Sequence, residues 1–350
     1  MYRERELHAR NAISRRDFLY STTAVAVSGL SGCATGSIAP RLPERFSYDD
    51  LLSDNYVDAL NVVHELPGEN VFTEGPALAP DGSIYFTSRF DDAILRWNPE
   101  NETLERFREN SNIANGLLFD RQGRLLICEG GANRLTRLDI ASGELEVIAD
   151  TYNGMPIDPP NDLCIDASDR IYFSSRPSTG AFSRGNPIAV YRLDPDGALT
   201  RLLTSPQVQM PNGVAISPDG GTFYLIETHR DVDHHRDIRA FDLSSDGMLS
   251  NERVIVNFYP GRSGDGLAVD AQGNLYVAAG LHTLRGSSET LDTLPGLHVF
   301  APSGELLAYR RTPEDTATNC CFGGSDRRTL YVTSGRHLLA MRTVNPGKAS

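Results

Sequence analysis

Six times along this chain a polar residue opens a short apolar run, a tight turn follows, and a second apolar run comes after it. The copies begin at Glu74 (EGPALAPDGSIYFTS), Asn115 (NGLLFDRQGRLLICE), Asn161 (NDLCIDASDRIYFSS), Asn212 (NGVAISPDGGTFYLIE), Asp265 (DGLAVDAQGNLYVAA) and Asn319 (NCCFGGSDRRTLYVTS), at spacings of 41, 46, 51, 53 and 54 residues. A strand-rich repeat of this period predicts a β-propeller with one blade per copy, because each small sheet buries its faces against its neighbours. The register constrains more than the count. Every copy opens on Glu, Asp or Asn, so a six-fold array sets six oxygen-bearing side chains around one axis, a donor set suited to a hard cation such as Ca2+.

Each repeat supplies strand A after the polar residue, a turn, strand B, a variable loop, strand C, a second turn and strand D, with the period-2 alternation of half-buried strands. The first turns (Pro80-Asp81-Gly82, Arg121-Gln122-Gly123, Pro218-Asp219-Gly220, Ala271-Gln272-Gly273) have tight-turn chemistry. The last repeat runs out after strand C (HLLAMRTV). The stretch from Ala59 to Leu66 is the candidate for its outer strand, which closes the ring and leaves no unpaired edge. The expectation is an all-β, six-bladed propeller of four-stranded antiparallel blades over residues 56–350.

In such a blade the start of strand A and the end of strand B share one rim, so the B–C loops crown the polar residues. Three of these loops are long, 176–187, 228–237 and 280–295, and carry Arg176, Arg184, His229, His234, His235, His282 and Arg285. Long loops over a rigid scaffold read as pocket wall and lid. Arg176, His229 and His282, with Asn115, are the substrate-binding candidates. Arg89 and Arg176, each ending a strand B, suit an anionic group or a solvated rim equally. Asn-Gly and Asp-Gly are also turn dipeptides, so Asn115 and Asn319 are expected at turn positions or behind the primary ligands.

The N-terminus reads as an address. Ser14-Arg15-Arg16-Asp17-Phe18-Leu19 has the form of a twin-arginine export signal, residues 21–32 are small and weakly apolar, and Leu30-Ser31-Gly32-Cys33 has the form of a lipobox. The apolar run is too short to span a bilayer core of ~30 Å. Residues 1–33 are therefore expected to be a lipoprotein signal, with Cys33 lipidated, and residues 34–55 a tether. That places the protein on a membrane, facing the periplasm or cell exterior. The remaining cysteines, Cys128, Cys164, Cys320 and Cys321, sit in apolar strand patterns without a zinc spacing, and free thiols are expected.

A net charge of −13 argues against a nucleic-acid partner, which needs a basic footprint. The single lysine, Lys348, stands near the C-terminus, so no Schiff-base lysine is expected in a central site. GxSxG, HExxH, Walker-type and GxGxxG motifs are all missing from the sequence, which disfavours serine hydrolases, zinc proteases, kinases and Rossmann oxidoreductases.

The stretches FTEGP (72–76), ANGLLFDRQGRLLICEGG (114–131), PNDL (160–163), PNGVAISPDG (211–220), GDGLAVDAQGNLYVA (264–278) and TNCCFGGSDRRTLYVTSG (318–335), in order and in phase, resemble the gluconolactonase, regucalcin and luciferin-regenerating-enzyme family of six-bladed propellers. The resemblance covers roughly residues 60–343. It implies a divalent cation, usually calcium, at the top of the tunnel, with Glu74, Asn161, Asn212 and Asp265 as its ligands. Mg2+, Mn2+ or Zn2+ also serve in such families. It further implies a hydrolase that opens a small lactone, with Asp265 as ligand and as general base or nucleophile. Two alternatives stay open: a non-catalytic binding propeller on the cell envelope, and a phosphotriester hydrolase using the same site. The family's sugar-lactone members carry an Arg two positions before the PND-type Asn; here that position is Pro159, so substrate recognition does not transfer from them.

Overall fold

The computed structural model describes residues 46–177 and 185–349. The export signal, Cys33, the tether up to residue 45 and Arg184 lie outside the described residues.

Six four-stranded antiparallel sheets form a β-propeller. Blade one consists of Thr73–Leu78, Ile84–Ser88, Ala93–Asn98 and Thr103–Glu109 as strands A to D. Blade two runs from Ala114–Phe119 to Leu145–Ala149, and blade three from Pro160–Ile165 to Leu199–Thr204. Blade four runs from Pro211–Ile216 to Leu249–Asn257, and blade five from Gly264–Val269 to Leu306–Arg311. Blade six takes Ala317–Gly323, Thr329–Ser334 and His337–Arg342 as strands A to C. Its outer strand comes from the other end of the chain: Asn61–Glu65 pairs antiparallel with His337–Arg342.

The A–B turns share a backbone hydrogen bond at the tip. Gly82 N donates to Ala79 O, Gly123 N to Asp120 O, Gly220 N to Ser217 O and Gly273 N to Asp270 O. All four glycines have positive φ, which their missing Cβ permits at low cost. Blades three and six use Asp169 and Arg327 at the same turn position, also with positive φ.

Among the described residues the apolar core divides into six clusters, one at each junction between neighbouring blades. Tyr85, Ile94 and Ala77 of blade one meet Leu117, Leu125 and Ile127 of blade two, for example. Leu66, Leu338 and Tyr331 of blade six meet Ile84, Phe86 and Trp97 of blade one. This arrangement explains where the expected alternation fails. Strands B of blades one, two, three and five are buried along their whole length, and those of blades four and six at all but their first residue, because a neighbouring blade covers each face, while the outer strand of blade four is mostly exposed. Cys128, Cys164 and Cys320 are buried free thiols within these strands, and Cys321 is a half-buried one.

The segment read as a tether packs on the propeller from Phe46 onward. Phe46 lies edge-on to Phe258 at 5.5 Å and beside Phe300 at 5.6 Å. Tyr48 Oη shares a 2.9 Å hydrogen bond with His298 Nε2 and accepts one from Leu294 N. Ser53–Asn55 forms a single 3-10 turn whose Ser53 Oγ accepts from Tyr309 N. Two aromatic rings that would lie exposed in a free linker are thereby covered by blade five.

Candidate active site

Strand A of every blade lines the central tunnel, and the polar residue that opens each repeat is its second residue in blades one to five and its third in blade six. The A–B ladder is irregular at this point in all six blades, shifting register between Glu74 and Ala77, Ala114 and Leu117, Pro160 and Leu163, Pro211 and Val214, Gly264 and Leu267, and Ala317 and Asn319. Such bulges turn a side chain out of the regular pleat.

The glycines that follow four of these residues have a packing reason. A Cβ on Gly75 would stand 2.2 Å from Asn115 O, one on Gly116 2.8 Å from Asn161 O, and one on Gly213 2.7 Å from Asp265 O. On Gly266 it would stand 2.1 Å from Asn319 Cγ. Each glycine lets one strand A close onto the polar residue of the next blade. The turn positions expected for Asn115 and Asn319 are therefore corrected: both are buried inside strand A, Asn115 against Gly75 and Asn319 against Gly266 of the preceding blades. Asn319 Nδ2 donates to Asp162 Oδ2 at 3.3 Å, and its Oδ1 accepts from Cys320 N.

A cavity of about 100 Å³ opens at this rim. Its lining brings together Glu74, Asn161, Asp265 and Asn115, as expected from the register, with the strand-end residues Arg89 and Arg176, and adds Arg230 and Arg262. Asn212 is buried beside it and donates through Nδ2 to Asp265 Oδ1. Arg262 Nη2 donates to Asp265 Oδ2 at 3.2 Å, and Nη1 to Glu289 Oε1 at 2.9 Å.

The histidine candidates lie elsewhere. The His229 ring stacks on His234 at 3.9 Å within the blade-four loop. His282 is drawn toward the connection between blades five and six, with its backbone N–H on Asp315 Oδ1 and its ring on Thr312 O. Neither lines the cavity, because each is engaged by neighbouring loop groups. Glu129 is buried and paired with Arg134 at 2.7 Å and Arg108 at 2.9 Å, a structural arrangement.

Burial holds the Glu74 carboxyl well above its usual range; the negative charge of Asp265 adds to this and Arg89 opposes it. Deeper in the tunnel, burial pushes the Asp162 carboxyl up to about 7. Burial and the neighbouring Arg89, Arg262 and Arg230 lower Arg176 to about 10, with Asp265 opposing. Among the described residues no group of three His, Cys, Asp or Glu side chains is placed to hold a metal ion. The convergent set is instead two carboxylates and two carboxamides. Those are hard oxygen donors, and buried carboxylates that disfavour each other's charge are relieved by a cation between them. The residues present thus fit a hard divalent cation, with the Asn212 amide presenting oxygen in place of its hydrogen bond to Asp265.

Two buried charged groups of blade four hold segments next to this cavity. Arg236, almost fully buried, donates to the carbonyl oxygens of His229, Arg230, Asp231 and Pro260 at 2.7–2.9 Å. It pins the blade-four loop, and Arg230 with it, to the segment that leads into Arg262. Glu227 accepts from Gln209 N and Met210 N, at 2.7 Å for the closest contact, and so holds the approach to Asn212.

Burial raises the Glu227 carboxyl to about 7. The folded chain therefore holds a proton that the unfolded chain releases near pH 4.5, and the ionised form costs stability as pH rises from there to about 7. That cost reaches roughly 3 kcal/mol for one such group. Glu227→Gln is expected to be close to neutral at pH 5 and stabilising at pH 8. Chemical denaturation of both proteins at the two pH values checks this, and an equal effect at both would refute it.

Toward the opposite rim strands A line a second, mainly apolar cavity of about 340 Å³. Lys348 closes it, with Nζ on Ile216 O at 2.8 Å and its backbone N–H on Val269 O. Lys348 thus belongs to this opposite-rim cavity and not to the candidate site. The C-terminal segment folds back beneath the tunnel and brings the one lysine of the sequence with it, and burial lowers its pKa.

Residues 72–336 match the family model described as "SMP-30/Gluconolactonase/LRE-like region". The chain is 24% identical to a gluconolactonase of Zymomonas mobilis, over 96% of this chain and 99% of that one. It is 27% identical to a pentonolactonase of Haloferax volcanii, over 75% and 80% respectively. The solved structure of a gluconolactonase from Xanthomonas campestris superposes with a TM-score of 0.68 at 28% identity, covering 85% of this chain and 94% of that one. With a family model matched along most of its length and a propeller of the same architecture, the chain belongs to the SMP-30/gluconolactonase/LRE-like family.

Proposed function

We propose that this protein is a divalent-metal-dependent hydrolase that opens a small, sugar-derived lactone. The observation that carries the reading is the convergence of Glu74, Asn161 and Asp265 on one small cavity, with Asn212 in contact with Asp265. Lactonase names among its relatives support the bond, and the donor set supports the metal.

Glu74, Asn161, Asn212 and Asp265 would hold the cation, with Ca2+ the first choice and Mg2+, Mn2+ or Zn2+ as substitutes. When bound, the cation supplies Lewis-acid polarisation of the lactone carbonyl and stabilises the oxyanion. Asp265 accepts a proton from water as the water oxygen bonds to the carbonyl carbon. The bond from that carbon to the ring oxygen then breaks, the ring oxygen takes a proton, and a hydroxy acid leaves. Arg262, fixed between Asp265 and Glu289, holds the carboxylate in one rotamer and acts as a positioning residue.

Chelator treatment is expected to abolish lactone opening, and titration with Ca2+, Mg2+, Mn2+ or Zn2+ to restore it, followed by proton release from aldonolactones, aliphatic lactones and aryl phosphotriesters. Turnover that survives metal removal would overturn the metal requirement. Restored turnover confined to phosphotriesters would reassign the bond.

A further inference from the structure

The lining of the upper cavity is unusually rich in arginine. Arg89 and Arg176 occupy matching positions in two blades, each directly after a strand B of nearly identical sequence, IYFTS in blade one and IYFSS in blade three. Their backbone N–H groups pair with Phe72 O and Pro159 O, the last carbonyls before the neighbouring strands A. Both side chains therefore start at the tunnel rim. Arg230 arrives from the blade-four loop that Arg236 clamps, and Arg262 from the approach to blade five.

Of these four, Arg262 is matched by Asp265 and Glu289. Arg89, Arg176 and Arg230 form no ion pair with a carboxylate among the described residues. Elsewhere in the chain, Arg96, Arg170 and Arg239 all find carboxylate partners. The Nε atoms of Arg89 and Arg176 are buried without a hydrogen-bond partner, and Arg176 Nη1 reaches only the Met210 sulfur at 3.4 Å. Donors of a cation left dry and unpaired are costly unless a ligand satisfies them. The lining holds four guanidinium groups against two carboxylates, an excess of positive charge before any cation joins Glu74 and Asp265. A neutral ligand leaves that excess uncompensated.

We propose that the lactone opened here carries a second, anionic group outside the ring ester, a carboxylate or a phosphate, and that Arg89, Arg176 and Arg230 bind it. This rests on the lactonase reading above. Planar, fork-like guanidinium donors suit either oxyanion. Burial and, after it, repulsion from the neighbouring guanidinium groups disfavour the charge on Arg176, and an anion among the three relieves the repulsion. Pro159 offers no donor of its own at the rim, so recognition passes to these arginines.

The test compares three lactones of one ring size and stereochemistry: a neutral aldonolactone, the monolactone of the matching aldaric acid, and the phosphorylated aldonolactone. The full chain loaded with metal is expected to prefer one charged lactone in kcat/KM, and which of the two identifies the anion. In Arg176→Met and Arg89→Met the ratio of charged to neutral turnover is expected to fall ~10- to 100-fold per lost charged contact. In the unsubstituted protein the KM for the charged lactone is expected to rise with ionic strength. Turnover of the neutral lactone as good as or better than both charged ones overturns the proposal and leaves the lactonase reading standing. Calorimetric binding of the ring-opened dicarboxylate, set against the monocarboxylate, separates the remaining cases. Tighter binding of the dicarboxylate with no lactone opened keeps the anion site and rejects the lactonase. Equal binding with no lactone opened rejects both.

Discussion

Asp265→Asn is expected to reduce lactone opening by at least ~10³-fold while the propeller stays folded, since removing a general base alone typically costs 10²–10⁴-fold. The change is isosteric. Asparagine can still accept from Arg262, and Arg262 keeps its contact with Glu289. What disappears is the negative charge, and with it both the proton acceptor and one of two carboxylates facing the cation. Turnover, thermal unfolding and metal titration together read the three effects apart. Full activity in this variant would refute the mechanism. A single turnover in ¹⁸O-labelled water refines it: label in the first product means water attacks, whereas unlabelled first product means the Asp265 carboxylate attacks directly.

Gly75→Ala is expected to be the most damaging small substitution at the tunnel. Its φ of +50° lies in the left-handed region, and the new Cβ would stand 2.2 Å from Asn115 O and 2.7 Å from Gly116 Cα. Both obstacles are backbone, so relief requires two blades to move apart. The left-handed conformation costs an alanine about 1–2 kcal/mol and overpacking about 1–3 kcal/mol, which together lower Tm by on the order of 10 °C in a chain of this size. Metal affinity is expected to fall as well, because Glu74 is the adjacent residue. Gly82→Ala is the control: its φ is +87°, but a Cβ there meets nothing within 4 Å, so only the backbone cost applies. Equal Tm shifts in the two variants would show that blade approach at Gly75 carries no special weight.

The propeller was legible in the sequence because its determinants are local and repeated. A strand, a tight turn and a strand recur in phase, so the strand boundaries, the six-fold count and the closing role of the stretch around Asn61–Glu65 follow from pattern alone. The same register placed Glu74, Asn161 and Asp265 on one cavity. Residues outside the repeat were legible only in part. Arg176 reached the cavity because a strand end fixes its backbone, whereas His229 and His282 belong to loops whose course is decided by distant partners such as Arg236, Thr312 and Asp315. Arg230 and Arg262 gave no periodic sign, and their positions depend on contacts made 6 to 27 residues away. Asn-Gly misled for another reason. The pair that makes a turn in a hairpin also makes a close contact between strands, and composition does not separate the two uses. The aromatic strap of Phe46 and Tyr48 was hidden because its partners lie more than two hundred residues ahead.

The shared sixth blade sets the order in which this molecule can be completed. Its outermost strand is made before the other five blades and its three inner strands after them, so the ring stays open until the sixth blade has been made. Five blades can assemble one after another from neighbouring segments, but the final seal joins residues some 275 positions apart, such as Glu65 and His337. Closing so long a loop is slow relative to local pairing. A chain without Asn61–Glu65 leaves His337–Arg342 unpaired, and one without His337–Arg342 leaves Asn61–Glu65 without its partner, so loss of either strand opens the same seam.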